Sequence, residues 1–279
     1  MTHPAVTVRV RVPSAAELDL AADALWRAGA VAIEEREASD GLVLIAGVAA
    51  GGEAEPLLAA VASRWPAELV PVDPDAAFDA WRDHARQVEV GDRLVVRPPW
   101  VRPSPRASGR IEVVIDPGRA FGSGAHPSTR LALAALERSL VDDARVLDAG
   151  CGSGVLAIAA LRLGASRATG IDVDPAALDA TRRNAAGNGV SDRLSVSDAS
   201  VGQVAATRGP FELVVANMLL PDLVGLTRPL RAALAPGGTL VLSGVLTEQR
   251  RTLLAAYAPL ESAGEQADEG WLAVTFPAR

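Results

Sequence analysis

Apolar and polar positions alternate with period two at the start of the chain. Val6, Val8, Val10 and Val12 are separated by Thr7, Arg9 and Arg11, which predicts a strand with one buried face. Beyond Ser14, a candidate N-cap, Leu18, Leu20, Ala21, Ala24 and Leu25 form the apolar stripe of a helix ending at Gly29. Residues 31–35 and 42–47 read as a strand pair about Ser39-Asp40-Gly41. A second helix is expected from Gly51-Gly52 to Trp65, and a strand over 68–72. The resulting order, βαββαβ, is ferredoxin-like and is assigned to a small α+β domain at 1–73. Many activities share that order, so it carries none by itself.

Residues 74–100 read as a linker. A helix over 75–86, begun by Pro74, has Phe78, Trp81 and Ala85 on one face, and a short strand at 94–96 leads to Pro98-Pro99-Trp100. Another strand is expected at 111–115. From 145 onward, buried strands (145–148, 168–172, 194–196, 213–216, 239–242) alternate with helices near 154–163, 175–188, 222–234 and 247–257. This alternation predicts an α/β domain over 101–279, a doubly wound parallel sheet with ligands beyond the carboxyl ends of its strands. Residues 271–276 are expected to be the last strand, antiparallel at the sheet edge.

Composition narrows the function. Of 279 residues, 49% are apolar and 22% charged, enough to build a core, and the net charge of −7 argues against a protein that coats nucleic-acid phosphates. The chain contains no lysine, which removes P-loop, kinase and Schiff-base chemistries together. A single cysteine, Cys151, excludes an internal disulfide, and His3, His84 and His126 are too dispersed for a metal centre. No basic-then-apolar leader opens the sequence, and the apolar run 155–161 is far short of the ~20 residues that span a bilayer. A soluble, cytoplasmic protein without membrane or metal is expected.

The densest chemical signal is Asp148-Ala149-Gly150-Cys151-Gly152-Ser153-Gly154, an apolar strand ending in an acid, then alternate glycines opening a helix. The dinucleotide spacing G-x-G-x-x-G fails because the residue three after Gly152 is Val155. The D-x-G-x-G-x-G form resembles the first motif of class I S-adenosylmethionine-dependent methyltransferases, with their Rossmann-like sheet. Asp172 ends the next strand, where an acid can bind the hydroxyls of a ribose. Asp198 follows the third strand and suits an adenine amino group or an ordinary loop. Asn217, directly after Leu213-Val214-Val215-Ala216, offers a carbonyl that can hold an amine; a turn asparagine reads equally well there.

The glycine-rich stretch from Asp116 to Thr129, Asp116-Pro117-Gly118-Arg119-Ala120-Phe121-Gly122-Ser123-Gly124-Ala125-His126-Pro127-Ser128-Thr129, can fold over a ligand and start a helix at Ser128 or Thr129. Together with the glycine turn, Asp172, Asn217, Trp81, Gly91-Asp92-Arg93-Leu94 and Pro98-Pro99-Trp100, it resembles the family that methylates ribosomal protein eleven of the large subunit (PrmA). The resemblance is strong over 110–245 and diffuse before 75. It implies S-adenosyl-L-methionine as cofactor, contacted at Thr129, Gly150, Asp172 and Asn217; Asp148, Gly152 and Gly154 of the first motif, and Asp198, complete the candidate cofactor-binding set. It also implies a catalytic group of Asn217, Phe121 and His126, the last two in a loop over the methionine moiety. The partner it implies is the ribosomal protein, recognised by the ferredoxin-like domain and methylated at lysine side chains or the α-amine by a monomeric enzyme with no direct nucleic-acid contact. The nearest rival is the same chemistry on another protein or small amine. An RNA-binding module lacks stacking aromatics on strands 6–12 and 42–47. A dehydrogenase lacks the glycine spacing.

Overall fold

The computed structural model describes residues 6–30, 32–38, 41–48, 53–71, 85–104, 109–118 and 120–278. The chain divides into two compact units, Met1–His84 and Ala85–Arg279.

In the first unit the order is β1 (Val6–Val12), α1 (Ala15–Arg27), β2 (Ala32–Ala38), β3 (Gly41–Gly47), α2 (Glu55–Ala62) and β4 (Ala67–Pro71). The strands form one antiparallel sheet ordered β2-β3-β1-β4, the ferredoxin-like topology. The alternation in β1 has the expected consequence: Val8, Val10 and Val12 bury against Leu44, Ala46, Leu18, Ala21, Leu25, Leu57 and Val61. Leu20, expected on that stripe, is instead 48% exposed, because two residues past Leu18 turn about 200° around a helix. Ser14 stands at the N-cap with extended backbone, but its side chain makes no capping bond. The expected helix start at Gly51-Gly52 and most of the connecting helix (75–84) fall outside the described residues. Ala85 and Arg86 carry no regular structure.

The second unit begins within the expected linker. β5 (Val88–Val90) pairs antiparallel with β6 (Leu94–Arg97), which pairs parallel with β7 (Ile111–Val114). These short strands persist because Val90, Leu94, Val96 and Val113 bury into the second unit's own core. Residues 88–97 thus belong to that unit and do not serve as a connector.

There follow α3 (Pro127–Ser139), β8 (Arg145–Ala149), α4 (Val155–Leu163), β9 (Arg167–Ile171), α5 (Pro175–Gly187), β10 (Leu194–Ser197), α6 (Val201–Arg208), β11 (Phe211–Asn217), α7 (Leu220–Gly225), α8 (Thr227–Ala232), β12 (Leu234–Leu246), α9 (Arg250–Tyr257), β13 (Gly264–Asp268) and β14 (Trp271–Pro277). Seven strands form one sheet ordered β10-β9-β8-β11-β12-β14-β13. The first five are parallel and the last two join antiparallel. Successive residues of one strand enter opposite cores: Leu213 and Val215 face one cluster, Val214 and Ala216 the other. Helices cover both faces, so the central strands read as unbroken apolar runs. β14 is antiparallel as expected but is not the edge; β13, Gly-Glu-Gln-Ala-Asp and almost wholly exposed, lies outside it.

Candidate active site

The carboxyl ends of β8, β9 and β11 meet at the glycine turn. Gly150, Gly152 and Gly154 have φ of +73°, +53° and +82°. At Gly152 the demand is steric as well: a Cβ there would lie 2.5 Å from the Phe121 carbonyl oxygen. Gly154 is the N-cap of α4 and has no side chain to cap with. Asp148 takes over that duty. Fully buried, it accepts a hydrogen bond at Oδ2 from the Ala157 N–H (3.0 Å), while Oδ1 has no partner. Burial, then the bond from Ala157 and the nearby Asp172 charge, leave its pKa raised to about 7. Burial likewise pushes the Cys151 thiol up to about 12, so this cysteine is no nucleophile near neutrality.

The loop ahead of α3 is stitched onto that turn. Ser153 donates from its N–H to the Phe121 carbonyl (2.9 Å) and from its hydroxyl to the Gly122 carbonyl (2.6 Å). Asn184 on α5 and its C-cap, Asn188, hold the loop's base. Asn188 Oδ1 accepts from the Val114 N–H and its Nδ2 donates to the Val114 carbonyl; Asn184 repeats this at Asp116. The two spacings match, since i to i+4 rises about 6 Å on a helix and i to i+2 about 6.6 Å on a strand. The pair therefore acts as a substitute strand.

His126 is the N-cap of α3, one residue ahead of Pro127 and earlier than the expected start at Ser128 or Thr129. Its Nδ1 accepts from the Ser128 N–H (3.3 Å) and lies 2.8 Å from the Ser128 hydroxyl. The ring makes T-shaped contacts with Phe121 (5.3 Å) and Trp271 (4.7 Å). Burial first, and Arg130 second, hold its pKa below the usual histidine value, so it is neutral at pH 7.

These elements enclose a cleft of about 510 Å³. Among the sequence-predicted residues, Phe121, His126, Thr129, Gly150, Gly152, Asp172 and Asn217 line it. Three do not: Asp148 and Gly154 build the turn from behind, and Asp198 is exposed after β10. Asp172 is pinned by bonds from the Gly152 N–H to Oδ2 (2.9 Å) and from the Asp174 N–H to Oδ1 (3.0 Å). Each oxygen keeps a lone pair for a ligand. Asn217 donates from Nδ2 to Thr129 Oγ1 (3.3 Å), while its Oδ1 is shielded from solvent and has no partner.

Trp271, Leu219 and Asp222 also line the cleft and were not legible as site residues; β14 delivers Trp271 from the far end of the chain. Asn184 and Asn188 could have been noticed as polar residues at i and i+4 on the buried side of α5. A larger depression of about 860 Å³, among Val224, Arg228, Arg231, Leu260 and Pro277, lies at the opposite ends of the strands and has no glycine turn.

Asp172, Asp174 and Asp222 line the cleft, and no arginine does among the described residues. Such walls suit a cationic nucleoside; a pyrophosphate would find no counter-charge. S-Adenosylmethionine, with its sulfonium and ammonium, fits a cleft lined by these acids and the glycine turn. Sheet order, turn and acids together define an S-adenosylmethionine-dependent methyltransferase of class I.

Comparison with known proteins specifies the family. Residues 70–279 match the ribosomal protein L11 methyltransferase (PrmA) family. A ribosomal protein L11 methyltransferase of Sorangium cellulosum is 34% identical, covering 99% of this chain and 96% of that one. Another from Citrifermentans bemidjiense is 42% identical over 202 residues, 70% of this chain; the match spans 65% of that relative's length. A solved ribosomal protein L11 methylase of Lactobacillus delbrueckii subsp. bulgaricus aligns with a TM-score of 0.64 at 29% identity, covering 70% of this chain and all of that one. The chain belongs to the ribosomal protein L11 methyltransferase family.

Proposed function

We propose that this protein is an N-methyltransferase that transfers methyl groups to amino groups of ribosomal protein L11, at lysine side chains, the N-terminal α-amine, or both. The observation that carries the reading is Asn217 Oδ1, an oriented and unpartnered acceptor beside the glycine turn. S-Adenosylmethionine supplies an electrophilic methyl on a cationic sulfur. The protein's work is to position and desolvate. Asp172 and the glycine turn hold the nucleoside, and the bond to Thr129 fixes the Asn217 amide in the cleft wall.

The amine must arrive neutral. At pH 7 a lysine of pKa ~10.4 needs about 4–5 kcal/mol for deprotonation and an α-amine of pKa ~8 about 1–1.5 kcal/mol. Asn217 Oδ1 accepts one N–H of the neutral amine and leaves its lone pair free; the proton goes to solvent. The enzyme is read as a monomer. The ferredoxin-like unit is taken as the part that recognises the ribosomal protein, without direct nucleic-acid contact. That acceptor sets the reaction in the cytoplasm; no helix among the described residues is long and apolar enough to cross a membrane.

The test combines labelled cofactor with a ribosomal extract and identifies the labelled polypeptide. Self-labelling at lysine cannot intrude, since the chain has none. Label on ribosomal protein L11 is expected; label on another protein or a small amine would keep the chemistry and refute the substrate. Asn217→Ala should slow transfer on the order of 100-fold, as loss of one well-placed polar group does, with cofactor affinity changed about threefold at most. Equal losses in both would refute the role of Asn217.

A further inference from the structure

Arg130 lies in the first turn of α3, where a cation opposes the helix dipole, so local preference does not explain it. Its partners lie across the fold. Nη1 donates to the Ala125 carbonyl (2.6 Å), while Nη2 donates to Glu269 Oε1 (2.8 Å) and to Asp268 Oδ2. The guanidinium fork thus joins a loop to a hairpin, which the single ammonium of a lysine could not do as well.

The two acids sit at the tip of the β13–β14 hairpin. Asp268 pairs with Trp271, and the residues between them, Glu269 and Gly270, have φ of +46° and +80°. Both are left-handed, as a two-residue type I′ turn requires, and a glutamate is disfavoured there relative to asparagine, aspartate or glycine. The Thr247 N–H donates to the Gly270 carbonyl (2.9 Å) and fixes the tip just beyond β12. The tip is therefore an anchor.

The loop that Arg130 reaches is bound elsewhere along its length. Ser153 holds the Phe121 and Gly122 carbonyls, and Gly124 lies so close to β6 that a Cβ there would be 2.5 Å from Val96 Cγ1. Arg130 takes the far end, one residue before His126.

We infer that Arg130 is a positioning residue for the cofactor cleft: braced on the acidic hairpin tip, it holds the Ala125 end of the loop closed. Phe121, Gly122 and His126 line the cleft and Arg130 does not, so its action passes through the loop. A loop closed for only part of the time lowers apparent affinity by the closed fraction. The inference rests on the cofactor assignment and not on the acceptor.

The experiment measures the calorimetric Kd for S-adenosylmethionine, and the thermal midpoint without it, in four full-length proteins. These are the parent, Arg130→Met, the pair Asp268→Asn with Glu269→Gln, and all three changes together. Arg130→Met and the acid-to-amide pair should each weaken cofactor binding about fivefold, and the combination by no more than about fivefold, because one clamp is broken in every case. Midpoints should stay within about 2 °C of the parent. A Kd within about twofold of the parent for either variant would overturn the inference, as would losses that multiply on combination. A lowered midpoint with unchanged Kd would likewise make Arg130 a purely structural residue. Should Arg130→Met fail to fold, the acid-to-amide pair, which leaves Arg130 and the loop intact, decides alone. No acceptor enters the assay, so failure of the ribosomal protein reading would not touch its result.

Discussion

Asp148 gives its one bonded oxygen to the Ala157 N–H and keeps the other unpaired in a site without solvent. Burial raises its pKa from 3.8 to about 7, so between those values the folded protein binds a proton that the unfolded chain has released. The associated stability is complete below pH 3.8 and is lost as pH rises to about 7. The expected outcome is a thermal midpoint that falls, relative to Asp148→Asn, between about pH 4 and about pH 8. Midpoints of the two proteins that run parallel over that interval would show that Asp148 does not titrate in this way. The sequence already marks Asp148 by its motif, but not its duty. Whether an acid at a strand end faces a ligand or turns back to cap a helix depends on where α4 sits. Asp172, by contrast, lines the cleft with its carboxylate held by the Gly152 and Asp174 N–H groups.

At the scale of elements, the loop from Asp116 to His126 owes its shape to α5 as much as to its own glycines. Asn184 is almost fully buried, with both amide atoms committed: Nδ2 to the Asp116 and Ser153 carbonyls and Oδ1 to the Asp116 N–H. Asn184→Ala would leave those backbone groups without partners and should cost about 2–3 kcal/mol in denaturant unfolding, together with weaker cofactor binding. A change below about 0.5 kcal/mol would mean that water replaces the amide. Periodicity finds α5 readily but treats its asparagines as polar interruptions. It misses α6 although Ser200 and Gln203 form a capping box there, and it misses β13 because an exposed edge strand has no apolar alternation to display.

At the scale of the molecule, each hydrophobic cluster among the described residues draws on one unit: residues from Val8 to Trp65 in the first, and from Val90 to Phe276 in the second. The described residues lining the cleft lie between Ala120 and Trp271. A fragment of residues 85–279 should therefore fold and bind S-adenosylmethionine with about the affinity of the whole chain, while losing methylation of ribosomal protein L11. Calorimetry and labelling of the purified fragment would check both halves. Retained labelling would remove the ferredoxin-like unit from recognition, and lost cofactor binding would make the two units interdependent.

Local physics determined what the sequence could announce by itself. Alternation of apolar residues specified both layer architectures, and the glycine turn with its following acid specified a nucleoside site, because these depend on neighbours in the chain. Only the tertiary structure decided which side chains close the cleft. Trp271 reaches it because β14 returns antiparallel beside β12, and Asn184 meets Asp116 because α5 packs along the loop base. Such meetings join residues some 68 and 145 positions apart (Asp116 with Asn184, His126 with Trp271), and only the packing of the folded chain pairs groups so distant in sequence.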